Sequence, residues 1–343
     1  MYETDSPEQA ALREAVRDFC RQHADGAARS APSARSAWKR LTGELGLTGL
    51  AIDERCGGMG GGIAEVAVAA EELGRVLLPV PYLSTALAGA VLSEGDAQVA
   101  AGLLPGLASG ALTAAFVFNG DLTVADGRLS GTAGNVLDGG DAGLFLVRVS
   151  AEGQRRGLYA VRAADAAVTP AGTLDQTRSQ ATVTFRDSPA VTTGADGDRA
   201  EELMRVLLAA ESVAAAEHCL DVTVAHLKTR QQFGRPIGAF QALQHRCADL
   251  AVEVFSGRAT ARAAVAAAAL AQGDLGVLAP LAKRYCVDVF WHVAAEMIQL
   301  HGGIGFTWEH EAHRYLKRAK TSQLLLGSPG ELRRLVAHRA GLY

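Results

Sequence analysis

The chain is 343 residues long, with 33 Lys plus Arg against 37 Asp plus Glu and a formal net charge of −4. So mild a balance supplies no basic stripe for nucleic acid or an anionic membrane surface, and the length predicts two or three units, each able to bury a core without disulfides or metal. Hydrophobic residues make up 49% but aromatics only 6%, an Ala-, Leu- and Val-rich balance that favours packed helices over an aromatic-rich β fold.

The opening Met1-Tyr2-Glu3-Thr4-Asp5-Ser6-Pro7 lacks the basic-then-apolar pattern of a signal peptide. Ser6 predicts an N-cap, Pro7 the first helical position and Gln9 a capping-box partner, with Leu12, Val16, Phe19 and Cys20 on one face. A second helix through Trp38, Leu41 and Leu45 stops at Gly46. The glycines from Gly57 to Gly62 form a loop, and helix resumes over 63–73 before Gly74. The uncharged stretch 76–93 contains Pro79, Pro81, Tyr82, Ser84 and Thr85, so it reads as a loop entering a buried helix over 83–92, not as a membrane span.

From residue 112 the pattern changes to short apolar runs at 114–118, 144–149, 158–161 and 181–185, with Asp126-Gly127 as a hairpin turn. Beyond Thr192, alanine-rich helices over 199–228, 239–271 and 275–300, a short one through 311–320 and a last one after Ser328 predict an antiparallel bundle. The expected organisation is therefore an N-terminal helical domain (1–111), a middle β-domain (112–192) and a C-terminal helical bundle (193–343). Five scattered cysteines, Cys20, Cys56, Cys219, Cys247 and Cys286, show no C-x-x-C pair, which predicts reduced thiols, no zinc site and a cytoplasmic location. His301, His310 and His313 lack an accompanying Cys or acidic ligand set, so no metal is expected. Arg314, Lys317 and Arg318 share a helical face expected to be solvated or an interface.

Two segments carry more specific information. Arg230-Gln231-Gln232-Phe233-Gly234-Arg235-Pro236-Ile237, followed by Phe240-Gln241-Ala242-Leu243-Gln244, resembles the first bundle signature of the acyl-CoA dehydrogenase family. Gln299-Leu300-His301-Gly302-Gly303-Ile304-Gly305-Phe306 resembles its second, and the stretch 38–107, with Glu44-Leu45-Gly46-Leu47 and Glu71-Glu72-Leu73-Gly74-Arg75, is similar too. The resemblance spans the chain in order. It implies a mainly α fold with an N-terminal helical domain, a middle β-barrel domain and a C-terminal four-helix bundle. It also implies the cofactor flavin adenine dinucleotide (FAD), an acyl-CoA substrate and an electron-transfer flavoprotein as acceptor. The glycines at 302, 303 and 305 follow a helix and not a strand, so they do not meet the context of a Rossmann fingerprint.

A dinucleotide needs a cation for its pyrophosphate and an apolar slot with amide partners for adenine. Arg230 offers the guanidinium, Phe233 a wall with Phe240 beside it, and Gln232, Gln241, Gln244 and Gln299 the amides, while Gly302 and Gly303 permit close backbone approach. The resemblance implies that these positions reach a flavin nucleotide bound mainly by a neighbouring subunit. Taken singly, Arg230 reads as a solvated loop charge and Gly302-Gly303 as a helix C-cap; taken together, the nucleotide site is favoured.

The family's reaction removes the α-proton of an acyl thioester with a Glu while the β-hydride passes to flavin. By resemblance that Glu precedes a Gly-Thr or Gly-Ser pair at the last bundle helix, where this chain has Leu326 before Gly327-Ser328. The family's other base position, beside an Arg on an earlier helix, falls on Met204. Glu331 is expected to cap its helix, and Glu201, Glu202 and Glu211 are expected to be exposed helix charges. The β-domain lacks the family's Thr-Glu-Pro…Gly-Ser-Asp loop, since Phe116-Val117-Phe118 runs straight into Asn119-Gly120-Asp121. Asn135-Val136-Leu137-Asp138 stands where the family has Trp-Ile-Ser/Thr. These losses predict a subunit of a heteromeric acyl-CoA dehydrogenase in which a homologous catalytic subunit supplies the base; the resemblance implies that such pairs act on bulky CoA esters, including steroid side-chain intermediates. The alternatives are a self-sufficient flavoenzyme with a displaced base and a flavin-free scaffold.

Overall fold

A computed structural model of the chain describes residues 5–150, 156–270 and 274–342; Met1–Thr4 and residue 271, where the expected helix over 239–271 ends, lie outside them. The N-terminal helices follow the sequence signals closely. Helix α1 is Pro7–Arg29 and buries Val16, Phe19 and Cys20, although the Gln9 amide donates to Glu65 (2.9 Å). Ser30 caps α2 (Ala31–Glu44), and Gly46 ends that segment with φ 60°. Helices α3 (Ile63–Arg75) and α4 (Tyr82–Ser93) follow. Helix α5 (Ala97–Ala108) is an element the sequence reading omitted. Gly102, Pro105 and Gly106 weaken its propensity, but the Asp96 cap and burial of Leu103, Leu104 and Leu107 outweigh it.

The β segment forms two four-stranded sheets. In one, β1 (Ala114–Val117) pairs in parallel with β4 (Leu144–Ser150), which continues antiparallel through β5 (Arg156–Arg162) to β8 (Val191–Asp196). The other is antiparallel in the order β2 (Asp121–Ala125), β3 (Arg128–Leu137), β7 (Gln180–Pro189), β6 (Ala166–Pro170). Asp126 and Gly127 both have positive φ, as a two-residue hairpin requires. Alternating inward residues such as Val117, Phe145 and Val147 meet Ala133, Val183 and Phe185 in one core. The omitted strand β6 is a half-exposed sheet edge ending at Pro170, so it shows no apolar run.

The remaining helices are α6 (Gly197–Thr229), α7 (Gln241–Leu270), α8 (Leu275–His301), α9 (Ala312–Leu324) and α10 (Pro329–Arg339). Every residue from Ala200 to Ala216 in α6 is buried, the charged Glu201, Glu202, Arg205 and Glu211 included. Contacts divide the chain into two units: Gln9–Ala69 with Leu78–Met204, and Met1–Glu8, Ala70–Leu77 with Arg205–Tyr343. The core of the second unit gathers Leu77, Cys219, Leu250, Phe290, Met297, Leu300 and Tyr315. Among the described residues no helix is long and apolar enough to cross a membrane.

Candidate functional site

At the end of α6 the chain turns through a two-stranded ribbon, β9 (Gln231–Gln232) and β10 (Arg235–Pro236), into the start of α7. Phe233 and Gly234 form its tip with φ 53° and 73°, the signature of a type I′ turn. The Ile237 amide donates to the Arg230 carbonyl (2.8 Å), closing the ribbon. Phe240 meets Phe233 edge-on with ring centroids 6.0 Å apart, and the Arg235 guanidinium lies over the Phe240 ring at 4.1 Å. The Gln244 side chain donates to the Gly238 carbonyl (3.0 Å), committing its amide locally. Arg230, Gln232 and Gln241 are exposed, and Phe233 is 88% exposed. A ring left in water to that degree contributes nothing to this chain's own core.

Gln299 lies exposed on the last turn of α8, and the Gly302 amide donates to the Gln299 carbonyl in capping that helix. Gly302 has φ 62°, which is itself a reason for glycine. Gly303 differs: a Cβ there would meet no atom of this chain within 4 Å, whereas one on Gly305 would strike the Ile298 carbonyl oxygen at 2.5 Å. Gly305 is thus required by the chain's own packing and Gly303 is not. Stacked imidazoles link the two segments. The His226 ring, whose backbone carbonyl accepts from the Arg230 amide, lies 4.4 Å from the His301 ring, and His301 lies 4.3 Å from His310. An exposed guanidinium and accessible amides, beside an outward phenyl ring and an open glycine, are groups of the kind that fit the anionic half of a dinucleotide.

The base positions have different surroundings. Leu326 has φ 54° and is half-buried, and its carbonyl oxygen lies 3.4 Å from Arg205 Nε. Lys283, fully buried on α8, donates its ammonium to the carbonyls of Gln323 (3.1 Å) and Gly327 (2.7 Å). Burial pushes the Lys283 ammonium down to about 7, and the nearby Arg205 cation adds to the shift. This lysine escaped the sequence reading; beside Arg284 it looks like half of a solvated basic pair, although Ala279, Cys286 and Val287 share its helical face. Met204 is buried and has no ionisable atom.

Two expectations about charge require correction. Glu201, Glu202 and Glu211 are not exposed but 7%, 6% and 7% accessible, because they lie on the part of α6 that is enclosed on all sides. Glu201 accepts from Arg148 (2.6 Å) and Glu211 from Arg318 (3.0 Å). Arg318 is 2% exposed, so it does not share the solvated face expected for it with Arg314 and Lys317; Lys317 lies over the Trp308 ring at 4.4 Å. Glu331 does complete a capping box with Ser328 at the start of α10.

In the β sheets only residues 118–120 separate β1 from β2, too few for the family's ring-facing loop. Asn135 and Val136 sit at a bulge of β3, and Asp138 accepts from the Ser84 hydroxyl (2.6 Å). These positions do not fit the flavin ring. Asp138 also borders a cavity of about 640 Å³ lined by Arg35, Trp38, Pro79, Asp141 and the buried Arg178, but none of the nucleotide-type residues lines it. The sequence reading did not find this cavity, because its walls come from α2 and from loops far apart in the chain.

The mostly helical architecture, interrupted by a two-sheet β segment, is the acyl-CoA dehydrogenase fold. Residues 6–111 match the family model for the acyl-CoA dehydrogenase N-terminal domain and residues 200–341 that for the C-terminal domain. The chain is similar to the acyl-CoA dehydrogenase IpdE2 of Mycolicibacterium smegmatis, with 38% identity over 97% of this chain and 99% of that protein. Among solved structures it is similar to a Tcur3481-Tcur3483 steroid acyl-CoA dehydrogenase variant (28% identity, TM-score 0.90, covering 98% of this chain and 100% of the other). It is also similar to the ChsE4-ChsE5 complex from Mycobacterium tuberculosis (26% identity, TM-score 0.90, 99% of each chain). The chain belongs to the acyl-CoA dehydrogenase family, flavoprotein oxidoreductases that bind FAD and act on CH–CH bonds.

Proposed function

We propose that this chain is the base-lacking subunit of a heteromeric acyl-CoA dehydrogenase and completes a flavin site centred on a homologous catalytic subunit. The observation that carries the reading is a division within one chain. The nucleotide-type groups Arg230, Phe233, Gln299, Gly302 and Gly303 face outward, while the turn at the base position holds Leu326 and is tied down by Lys283. A leucine cannot remove a proton, so the companion chain supplies the Glu, the ring contacts and the acyl-CoA cleft. In this reading Arg230 binds the pyrophosphate, Gln232, Gln241 and Gln299 face the adenine edge, and Gly302 and Gly303 allow close approach. Gln244 and Phe240 hold the ribbon that carries them. Bound flavin supplies the acceptor for the β-hydride of the thioester.

The two solved relatives, one titled as a steroid enzyme and one as a two-protein complex, support a bulky or steroid side-chain CoA ester as substrate and a paired assembly. An electron-transfer flavoprotein is the proposed acceptor, the cytoplasm the proposed location, and 1–111, 112–192 and 193–343 the functional segments. The test is the flavin-to-chain ratio of the native complex, measured with Arg230→Ala alongside. One flavin per pair of chains, lost in the variant, is the expected result. Tight equimolar flavin and turnover in the lone chain, abolished by Glu211→Gln or Glu331→Gln, would establish a self-sufficient enzyme instead. Unaltered flavin content in Arg230→Ala would establish a scaffold.

A further inference from the structure

We propose that the imidazole stack His226–His301–His310 is a positioning device that holds the Arg230 ribbon against the Gly302–Gly303 turn, and that it works only while unprotonated. The inference rests on the shared flavin site proposed above.

The geometry is specific. His226 lies on the last turn of α6, and its backbone carbonyl accepts from the Arg230 amide (2.8 Å). His301 is the last residue of α8 and immediately precedes Gly302. Their rings stack at 4.4 Å and 30°, so the ring contact joins the ends of two helices whose continuations carry the nucleotide-type residues. His310, in the loop before α9, has its ring 4.3 Å from that of His301, tilted by 47°. His301 Nδ1 lies 2.7 Å from the Met297 carbonyl and therefore donates to it, while His310 Nδ1 accepts from the Ala312 amide. The bond from Ala312 holds only while His310 Nδ1 carries no proton, and the bond to Met297 fixes the orientation of the His301 ring.

The surroundings disfavour charge. Burial lowers the affinity of His226 for a proton, and His301, His310 and Arg230 lower it further. His310 is held low by burial, then by His301 and His313, with Glu311 opposing. Glu311 is itself engaged by His218 and also faces Arg314; His313 is held low by burial and by Lys317 and Arg314. Among the described residues Glu311 is the carboxylate that opposes these shifts, and it is already engaged by His218. Two cationic rings at this spacing repel, and separating them frees the ribbon from the glycine turn.

The test uses the complex with its catalytic partner and follows flavin release by fluorescence, not turnover. At pH 8 the complex should retain flavin; failure there overturns the shared-site reading, and this inference with it. Between pH 8 and pH 5 the wild type should release flavin several-fold faster. His226→Phe keeps a ring without a titratable proton, so its release rate should stay nearly level over the same range. His226→Ala removes the ring and should release flavin faster at both pH values. Wild-type retention that is unchanged or tighter at pH 5, or a His226→Phe complex as acid-sensitive as the wild type, overturns the proposal while leaving the shared site standing.

Discussion

Arg318 and Glu211 form an ion pair in which both side chains are almost fully enclosed, 3% and 9% accessible, with Nη1 3.0 Å from Oε1. Breaking such a pair by removing one partner costs roughly 3–5 kcal/mol. Arg318→Ala should therefore lower the free energy of unfolding by about that amount in denaturant titrations of the purified chain. Glu211→Gln should leave turnover of the assembled complex unchanged, since the carboxylate is committed to Arg318. Loss of turnover without loss of fold would make Glu211 the displaced base.

The same carboxylate has a neighbour that sets how closely α3 approaches α6. A Cβ on Gly74 would lie 2.5 Å from Glu211 Cγ and 2.9 Å from its carbonyl oxygen. The backbone oxygen cannot swing aside as a side-chain end could. Gly74→Ala should destabilise by about 1–3 kcal/mol, the usual range for overpacking, despite the better helix propensity of alanine. A thermal midpoint equal to or above the wild type would contradict this account.

Leu326 occupies the left-handed region at φ 54°, a conformation costing roughly 1–2 kcal/mol for a residue with a Cβ. Comparing Leu326→Gly with Leu326→Ala separates this strain from loss of the side chain, because both remove it. Glycine should be the more stable of the two by about 1 kcal/mol, the reverse of their order in a helix. If alanine is the more stable, the turn is not held as described.

Lys283 gives the chain a predictable response to pH. Its folded-state value is about 7, against 10.5 when unperturbed, so between these limits the unfolded chain binds more protons than the folded one. Stability should rise with pH from 7 upward, by up to about 1.4 kcal/mol per unit. The lysine's own contribution levels off below pH 7, where it is protonated in both states. The buried thiols Cys219 and Cys286 are pushed up, which reverses the trend only as their unfolded-state range near 9 is approached. The window for measurement is therefore pH 7 to 8.5, and Lys283→Met should flatten it.

The sequence was most informative where local signals and burial agree. Pro7, Gly46, Asp126-Gly127 and the Ser328–Glu331 box all act within a few residues of themselves, and each structural boundary lies where they indicate. The charges of α6 show the opposite case. Glu201, Glu202 and Glu211 resemble solvated helix residues until Arg148 and Arg318 are brought from elsewhere in the chain. Such partners cannot be inferred from helical spacing. At the candidate site the ribbon and glycine segments were legible as motifs, but the ring contact between His226 and His301, 75 positions apart by numbering (301 − 226), depends on how α6 and α8 pack.

The ribbon tip has a consequence for how the protein must be made. Phe233 is fixed by a turn with two left-handed residues in succession, so it cannot fold back onto its own surface without dismantling the ribbon. Synthesised in excess of any companion, the chain would keep this ring in contact with water and available to whatever apolar surface it met first. Under the subunit role proposed above, production in step with the companion chain is expected, and a yield of dispersed material that rises on co-expression is its sign.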